Sequence, residues 1–287
     1  MSTEMHSAGA QPSANGHREA AHAECVWYDR GWEQETQRLR SLEAEFDPGT
    51  CRLLDSLGVV DGWHCLEVGA GAGSIARWMA ERTAPGGRVI AVDLDLRHMN
   101  SARFGNLETR ALDIVVDDIG EAVFDLVHAR AVLEHIPARQ AALRRIVSAL
   151  KPGGWLLVED FDVSPAMVSA LAPYMPTDPE LGKRVMSAIA PLYAAAGVDP
   201  SFGSRLTGAL RDCGLEDVQG EMRASILGGG SDDFWHLSLQ LVTPELVRQG
   251  LVTLTDVERL IDLTGDPRVQ VPPIMLIAAW GRRPLVT

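Results

Sequence analysis

The sequence predicts an α/β fold whose core is a doubly wound, open and mostly parallel sheet, and three observations predict it. The first is WHCLEVGAGAGSIARWMA at residues 63–80, where an apolar run breaks into alternate glycines and resumes with helical spacing, giving strand, glycine turn and helix. The second is RVIAVD at 88–93, a β-branched apolar run closed by an acid 20 residues after Gly73. The third is the repetition of that ending. LETRALDI closes at Asp113, and FDLVHA at 124–129 and GGWLLVED at 153–160 supply two more strands, so that five strand ends fall along one edge.

Each remaining segment follows in chain order. Residues 1–24 are rich in Ala, Ser, Gly and His and poor in large apolar side chains, which predicts a disordered tail. Residues 34–46 carry Leu39, Leu42 and Phe46 at helical spacing and 50–57 fit a second helix, so 25–58 are expected to form lid helices ahead of a core at 59–162. Pro165, Pro173, Pro176, Pro179, Pro191 and Pro200 then chop 163–201 into short helices around a stronger segment at 179–196, a helical cap insertion. Residues 202–287 complete the core. Within them 202–214 has helical periodicity and a glycine stop, 216–226 reads as a strand and 274–281 as the last one. Between those strands Gly228, Gly229 and Gly230 read as a hinge into a second helical insertion at about 228–268. Its helices fall at 232–249 and 255–263, the latter opened by Thr255 and Glu258 as a capping box. Both insertions lie near the strand carboxyl ends, where ligands bind in open α/β sheets.

Composition sets limits on function. A chain of 287 residues with 46% hydrophobic composition can bury one large core without disulfides. A net charge of −13 opposes phosphate-backbone partners, because nucleic-acid binding needs a basic surface to release counterions, so a small-molecule partner is expected and nucleic acid is not. No apolar run approaches the roughly 18 residues of a bilayer span and the opening segment lacks an apolar signal core. These features predict a cytoplasmic protein with no membrane partner. Cys25, Cys51, Cys65 and Cys213 lack C-x-x-C spacing and read as reduced packing residues, and His6, His17 and His22 are too scattered to assign a metal. Arginine stands in for lysine everywhere except Lys151 and Lys183, a usage typical of a GC-rich genome. The inserted helices offer a surface through which two chains would form a homodimer.

The glycines carry the first functional expectation. Gly69, Gly71 and Gly73 lack the Cβ atoms that would hold a turn away from a ligand, and the helix after them aims free N–H groups at the same place. Asp93, at the end of the adjacent strand, falls within reach of the hydroxyls of a ribose. With LEVGAGAG, AVDLD, an acid at Asp113 eleven residues before FDLV, the stretch FDLVHARAVLEHIP and then LKPGGWLLVED, the chain resembles the class I S-adenosylmethionine-dependent methyltransferases over residues 36–161. It most resembles the bacterial small-molecule methyltransferases of secondary metabolism, with PPIMLIAAWGRRP near the end as a further echo.

The resemblance implies a Rossmann-like seven-stranded sheet, mostly parallel with the last strand antiparallel, carrying helical cap insertions. It implies S-adenosyl-L-methionine as cofactor, S-adenosyl-L-homocysteine as its product, and methyl transfer to an O, N or C nucleophile of a small-molecule metabolite. Carried over by residue, Glu67 would shape the glycine loop and bond the donor's amino end, or equally cap backbone N–H groups of that turn, while Gly69, Ala70, Gly71 and Gly73 approach the donor's methionine and ribose parts. Asp93 would hold the ribose, Leu94 would flank the adenine, and Asp113 with Ile114 would fix the adenine edge and face. The Ala129 carbonyl would accept from the donor's ammonium, and Arg130 would pair with its carboxylate or with Glu134.

In-line methyl transfer needs orientation and the exclusion of water more than it needs a base. His135 has the intrinsic pKa to take a proton from a hydroxyl near neutral pH and is the first catalytic candidate, although histidine at this place also packs the loop. Asp160, with Asp162 beyond it, is the rival base or substrate hydrogen-bond acceptor. Tyr28, Trp32, Trp235 and His236 are candidates for the walls of an aromatic substrate pocket, and core or lid packing is the alternative for each. Two other function classes share the glycine turn. A dinucleotide-dependent oxidoreductase is opposed by the G-x-G-x-G spacing, with Ser74 where the last glycine of that fingerprint belongs, and by Asp113. A cyclase or regulatory binder would keep the donor pocket without transferring the methyl, since fold does not fix chemistry.

Overall fold

The computed structural model describes residues 33–99, 103–174, 177–271 and 273–285. The predicted tail at 1–24 and the start of the lid segment, with Tyr28 and Trp32, lie outside the described residues.

Apolar, β-branched runs between glycine and polar breaks form the strands β1 (His64–Val68), β2 (Arg88–Asp93), β3 (Leu107–Ala111), β4 (Phe124–Arg130), β5 (Leu150–Asp162), β6 (Glu216–Arg223) and β7 (Met275–Arg282). They make one sheet in the order β3-β2-β1-β4-β5-β7-β6, all parallel except β7, which runs antiparallel to both of its neighbours. Successive strands step outward from β1 to β3 and then return to pair β4 with β1. That reversal opens a crevice at the carboxyl ends of β1 and β4.

The helices are α1 (Glu35–Leu57), α2 (Ser74–Thr83), α3 (Arg139–Ala149), α4 (Pro165–Leu171), α5 (Pro179–Ala195), α6 (Leu206–Asp212), α7 (Phe234–Arg248) and α8 (Leu254–Thr264). Strand alternation splits them between two faces. Cys65, Leu126 and Leu157 pack against Leu53, Leu54, Ile75 and Met79 of α1 and α2, while Leu66, Val127 and Val158 pack against Leu143 and Ile146 of α3 and Leu206 and Leu210 of α6. A third cluster joins Phe46 and Phe161 to α5, α7 and α8, so both insertions share one apolar core above the strand ends. Among the described residues no helix is long and apolar enough to cross a membrane.

Several boundaries differ from the sequence expectation, each for a local reason. The two predicted lid helices are one, α1, running through Pro48. The proline forfeits one backbone donor, and the next turn is held by Thr50, whose hydroxyl donates to Glu159 on β5, and by Leu53 and Leu54, which are buried against the sheet. Helix α8 starts one residue earlier than expected and is capped by Thr253, which accepts from the Asp256 N–H at 3.1 Å, in place of a box from Thr255 to Glu258. The triple glycine is a pinned turn. Gly229 N–H donates to the Val269 carbonyl, Gly230 N–H donates to the Thr264 carbonyl, and a Cβ on Gly229 would sit 2.1 Å from the Thr264 oxygen. Strand β6 ends at Arg223, short of the expected 226, and β5 continues to Asp162.

Candidate active site

The glycine turn after β1 is drawn tight against its neighbours. Gly69 and Ala70 both donate to the Val92 carbonyl, at 2.8 and 3.1 Å. Gly69 has φ +68° and a Cβ there would meet Val132 at 2.2 Å, so only glycine fits between the turn and the loop after β4. Gly71 donates to Asp93 Oδ2 at 2.9 Å, and Asp93 Oδ1 accepts from the Asp95 N–H at 3.0 Å. The predicted ribose acid thus also fixes the turn. Burial lifts its carboxyl above the ordinary value, against the pull of the Asp95 and Gly71 N–H bonds.

The first free N–H of α2 does not face solvent. Ser74 donates to Glu43 Oε1 of α1 at 2.9 Å. A carboxylate therefore sits where a helix N-terminus would otherwise accept the pyrophosphate of a dinucleotide. Sequence reasoning missed Glu43, although its signal was present: it shares a helical stripe with Leu39, Leu42 and Phe46, an acid inside an apolar face.

Behind the turn, three adjacent strands bring buried ionisable groups into line. Glu67 of β1 is register-paired with His128 of β4, and its Oε2 lies 2.7 Å from His128 Nδ1. His128 Nε2 lies 3.2 Å from Glu159 Oε2 on β5. Glu159 also accepts from Thr50 Oγ1 and from Arg223. With both ring nitrogens on carboxylates, both must donate, and His128 is an imidazolium. Burial opposes that charge, but Glu67 and Glu159 outweigh it and push the pKa up to about 9. Burial lifts Glu67 above its ordinary value in spite of His128, whereas Glu159, equally buried, is held low by His128, Arg130 and Arg223. Arg130 turns to Thr50 Oγ1 at 2.9 Å and Asp47 Oδ1 at 2.7 Å on α1 and does not pair with Glu134.

These groups border an open cavity between the glycine turn, α1 and the two insertions, with about 1210 Å³ of empty space counting the solvent at its mouth. Of the predicted residues, Glu67, Gly69, Ala70, Gly71, Asp93, Arg130, His135 and Trp235 line it. Gly73 and Leu94 stand just outside the lining, Gly73 as the left-handed residue that starts α2. Asp113 is set back as well. Its carboxylate accepts from the Val115 N–H at 2.8 Å and closes the turn after β3. Ile114 and Ala129 point into the core on the α3 face of the sheet.

Asp160 is fully buried and outside the lining, with Oδ1 accepting from the Val132 N–H at 3.0 Å, and burial followed by the charge of Glu134 holds its carboxyl well above the ordinary value. Asp162 is spent on the Ser164 N–H and the Ser204 hydroxyl. Neither acid reaches the cavity. His236 is likewise turned away: Nδ1 meets the Ile261 carbonyl at 3.1 Å and Nε2 meets Gln240 at 3.0 Å, tying α7 to α8.

His135 is the last residue of the 3₁₀ turn Leu133–His135, with Nε2 3.1 Å from Glu134 Oε1 and its ring 6.0 Å from that of Tyr193. Glu134, named from the sequence only as a partner for Arg130, is fully buried, lines the cavity and accepts from the Phe161 N–H at 3.0 Å through Oε2. The arrangement offers a bare turn beside three acids, and a histidine across the same cavity under an aromatic cap.

The chain is similar to known proteins. Residues 66–156 match the methyltransferase domain family. The chain is 30% identical over 142 residues to methyltransferase str2 of Strobilurus tenacellus, covering 49% of each chain. It is 30% identical over 135 residues to the ubiquinone biosynthesis O-methyltransferase of Paracidovorax citrulli, covering 44% of this chain and 55% of that one. The chain thus spans about half the length of the curated relatives it matches. Among solved structures, phosphoethanolamine N-methyltransferase 2 of Haemonchus contortus, in complex with phosphomonomethylethanolamine and S-adenosylhomocysteine, superposes with a TM-score of 0.55 at 17% identity. That match covers 90% of this chain and 59% of that one, a likeness of fold.

Proposed function

We propose that this chain, a member of the class I S-adenosylmethionine-dependent methyltransferases through residues 66–156, transfers a methyl group to an O, N or C nucleophile of a small-molecule metabolite. The observation that carries the reading is the acid set around the glycine turn. Glu43 occupies the N-terminus of α2, and Glu67 and Asp93 flank the turn. Acids there repel a pyrophosphate and suit a ligand with hydroxyls and positive charge, which supports a sulfonium nucleoside over a dinucleotide. The glycine cradle leaves room for backbone contact, and the residues present fit the group.

Bound S-adenosylmethionine would supply an electrophilic methyl on sulfur and leave as S-adenosylhomocysteine. The chain's own share is placement: Asp93 for the ribose, Glu67 for the ammonium end, and the turn backbone at Gly69 to Gly71 for the chain between them. The α1, α5 and α7 walls exclude water from the acceptor, which strengthens every polar contact inside. His135, at the cavity wall, takes the proton that the acceptor nucleophile loses as its new bond to the methyl carbon forms. The same reading sets the protein in the cytoplasm of a bacterium, in secondary metabolism, without a nucleic-acid partner and with its inserted helices as the face for a homodimer. The acidic net charge supports the absence of a nucleic-acid partner, and the ubiquinone biosynthesis O-methyltransferase among the relatives supports a small-molecule acceptor.

Calorimetry tests the donor half: heat is expected on adding S-adenosylhomocysteine and none on adding NADH. The opposite pattern would return the oxidoreductase reading. For the base, His135→Ala is expected to lower kcat about 100-fold while leaving S-adenosylhomocysteine affinity unchanged. A cyclase or binder would show the affinity and no methyl transfer from labelled donor to any metabolite in an extract.

A further inference from the structure

Where the cap faces the cavity, its wall is aromatic and aliphatic: Phe161, Val163, Ile189, Tyr193, Phe234 and Trp235. Phe161 and Phe234 stack with centroids 6.1 Å apart at 22°, and Trp235 follows at 6.4 Å from Phe234, forming an extended π wall. Two oxygens in this lining make no hydrogen bond. Ser238 is 2% exposed and its Oγ is unpartnered. Glu134 is fully buried, with Oε1 3.1 Å from His135 Nε2 but not aligned for a hydrogen bond. A buried polar atom left in that state costs on the order of 1–3 kcal/mol, which a ligand hydrogen bond relieves.

Charge in the same lining is already committed. Arg38 is held by both oxygens of Glu35, at 2.8 and 2.7 Å, and lies over the Phe234 ring at 5.8 Å. Arg130 is held by Asp47 and Thr50. These are the two guanidiniums among the described residues lining the cavity, and the charge of each is balanced by an acid of α1.

We infer that the acceptor is an uncharged, largely apolar and planar molecule carrying a hydroxyl, laid against the aromatic wall with that hydroxyl between Ser238 and Glu134, and that phosphorylated, carboxylated and ammonium-bearing acceptors are rejected. Assigning this wall to an acceptor rests on the methyl transfer proposed above. Burial lifts the Glu134 carboxyl to about 8, with the Phe161 N–H bond opposing it and the charge of Asp162 adding to it. Near pH 7 the carboxyl is thus mostly neutral, able to donate as well as accept, and holds no charge to attract an amine cation. The same pocket is lined by the glycine turn at Gly69–Gly71 and by the π wall, which sets an acceptor on that wall beside the donor.

The test is calorimetric titration of the full chain, with and without saturating S-adenosylhomocysteine, using four probes of one shape: 2-naphthol, 2-methylnaphthalene, 2-naphthyl phosphate and 2-naphthylmethylamine. Expected are 2-naphthol affinities about fivefold above 2-methylnaphthalene and about tenfold or more above the phosphate and the amine. Ser238→Ala lowers 2-naphthol affinity about fivefold and leaves 2-methylnaphthalene unchanged, while Glu134→Gln, neutral and still a donor, keeps 2-naphthol within about twofold. The inference is overturned by equal or tighter binding of the phosphate or the amine, by equal effects of Ser238→Ala on both neutral probes, by loss of 2-naphthol binding in Glu134→Gln, or by no 2-naphthol binding. S-adenosylhomocysteine binding without discrimination among the probes sinks this inference alone. Discrimination without S-adenosylhomocysteine binding sinks the methyl-transfer reading and leaves the neutral pocket standing.

Discussion

Asp93→Ala weakens S-adenosylhomocysteine binding roughly 30- to 100-fold. Two losses combine in that figure. A carboxylate has about four lone-pair sites, and here the Gly71 and Asp95 N–H groups take one on each oxygen, leaving capacity for ribose hydroxyls. Hydrogen bonds to a charged acceptor contribute about 1.5–3 kcal/mol. Alanine also releases the Gly71 N–H, so the turn loses one of its bonds to the end of β2 and keeps those from Gly69 and Ala70 to the Val92 carbonyl. Asp93→Asn separates the two effects, because its amide oxygen can keep the bond from Gly71 while the charge is gone, and it is expected to fall between alanine and wild type. Calorimetry measures both variants, with thermal melting of the ligand-free proteins to show that each is folded. Wild-type affinity in the alanine variant would remove Asp93 from the donor site.

The parts of the site that the sequence disclosed are those in which function is written locally. The alternate glycines, the acid 20 residues on and the histidine after β4 each announce a backbone requirement or an ionisable side chain within a short window, and all of these except Gly73 line the cavity. Juxtaposition of distant segments was not legible. Nothing near His128 in sequence shows that Glu67 and Glu159 will flank it, because strand pairing 61 and 31 residues away makes that line. Ser238 and Phe234 lie in a helix whose apolar pattern reads as ordinary packing, and only the docking of α7 over the strand ends gives them a cavity to face. Asp113 shares the strand-end position of Asp93 but stands outside the cavity lining, with Oδ1 on the Val115 N–H. Pro48 and Gly49 look like a break because helix propensity is a local quantity, whereas burial of the next turn against the sheet decides the outcome.

His128→Leu is expected to cost about 3–5 kcal/mol of unfolding free energy, the largest effect of any single change considered. The imidazolium is wholly buried between two carboxylates, and leucine strands both in a low-dielectric interior. Glu159 retains Arg223 and Thr50. Glu67, whose carboxylate otherwise only borders the cavity, has no comparable substitute. Adding Glu67→Gln to His128→Leu is therefore expected to recover stability, a non-additivity that an ordinary packing defect would not produce. The pH dependence follows from the same line. His128 is raised from an ordinary 6.5 to about 9, so its contribution is fully present below pH 6.5 and is lost as pH rises through 9. Glu134, raised from 4.5 to about 8, adds a loss of the same sign over its own range. Urea unfolding of the wild type should accordingly show falling stability from pH 6.5 to 9, with a shallower slope in His128→Leu, which lacks the His128 part while the raised carboxyls of Glu134 and Asp160 remain. A single-variant cost below about 1 kcal/mol, or a double variant less stable than the single, would show that the buried line of charge is not what holds β1, β4 and β5 together beneath the glycine turn.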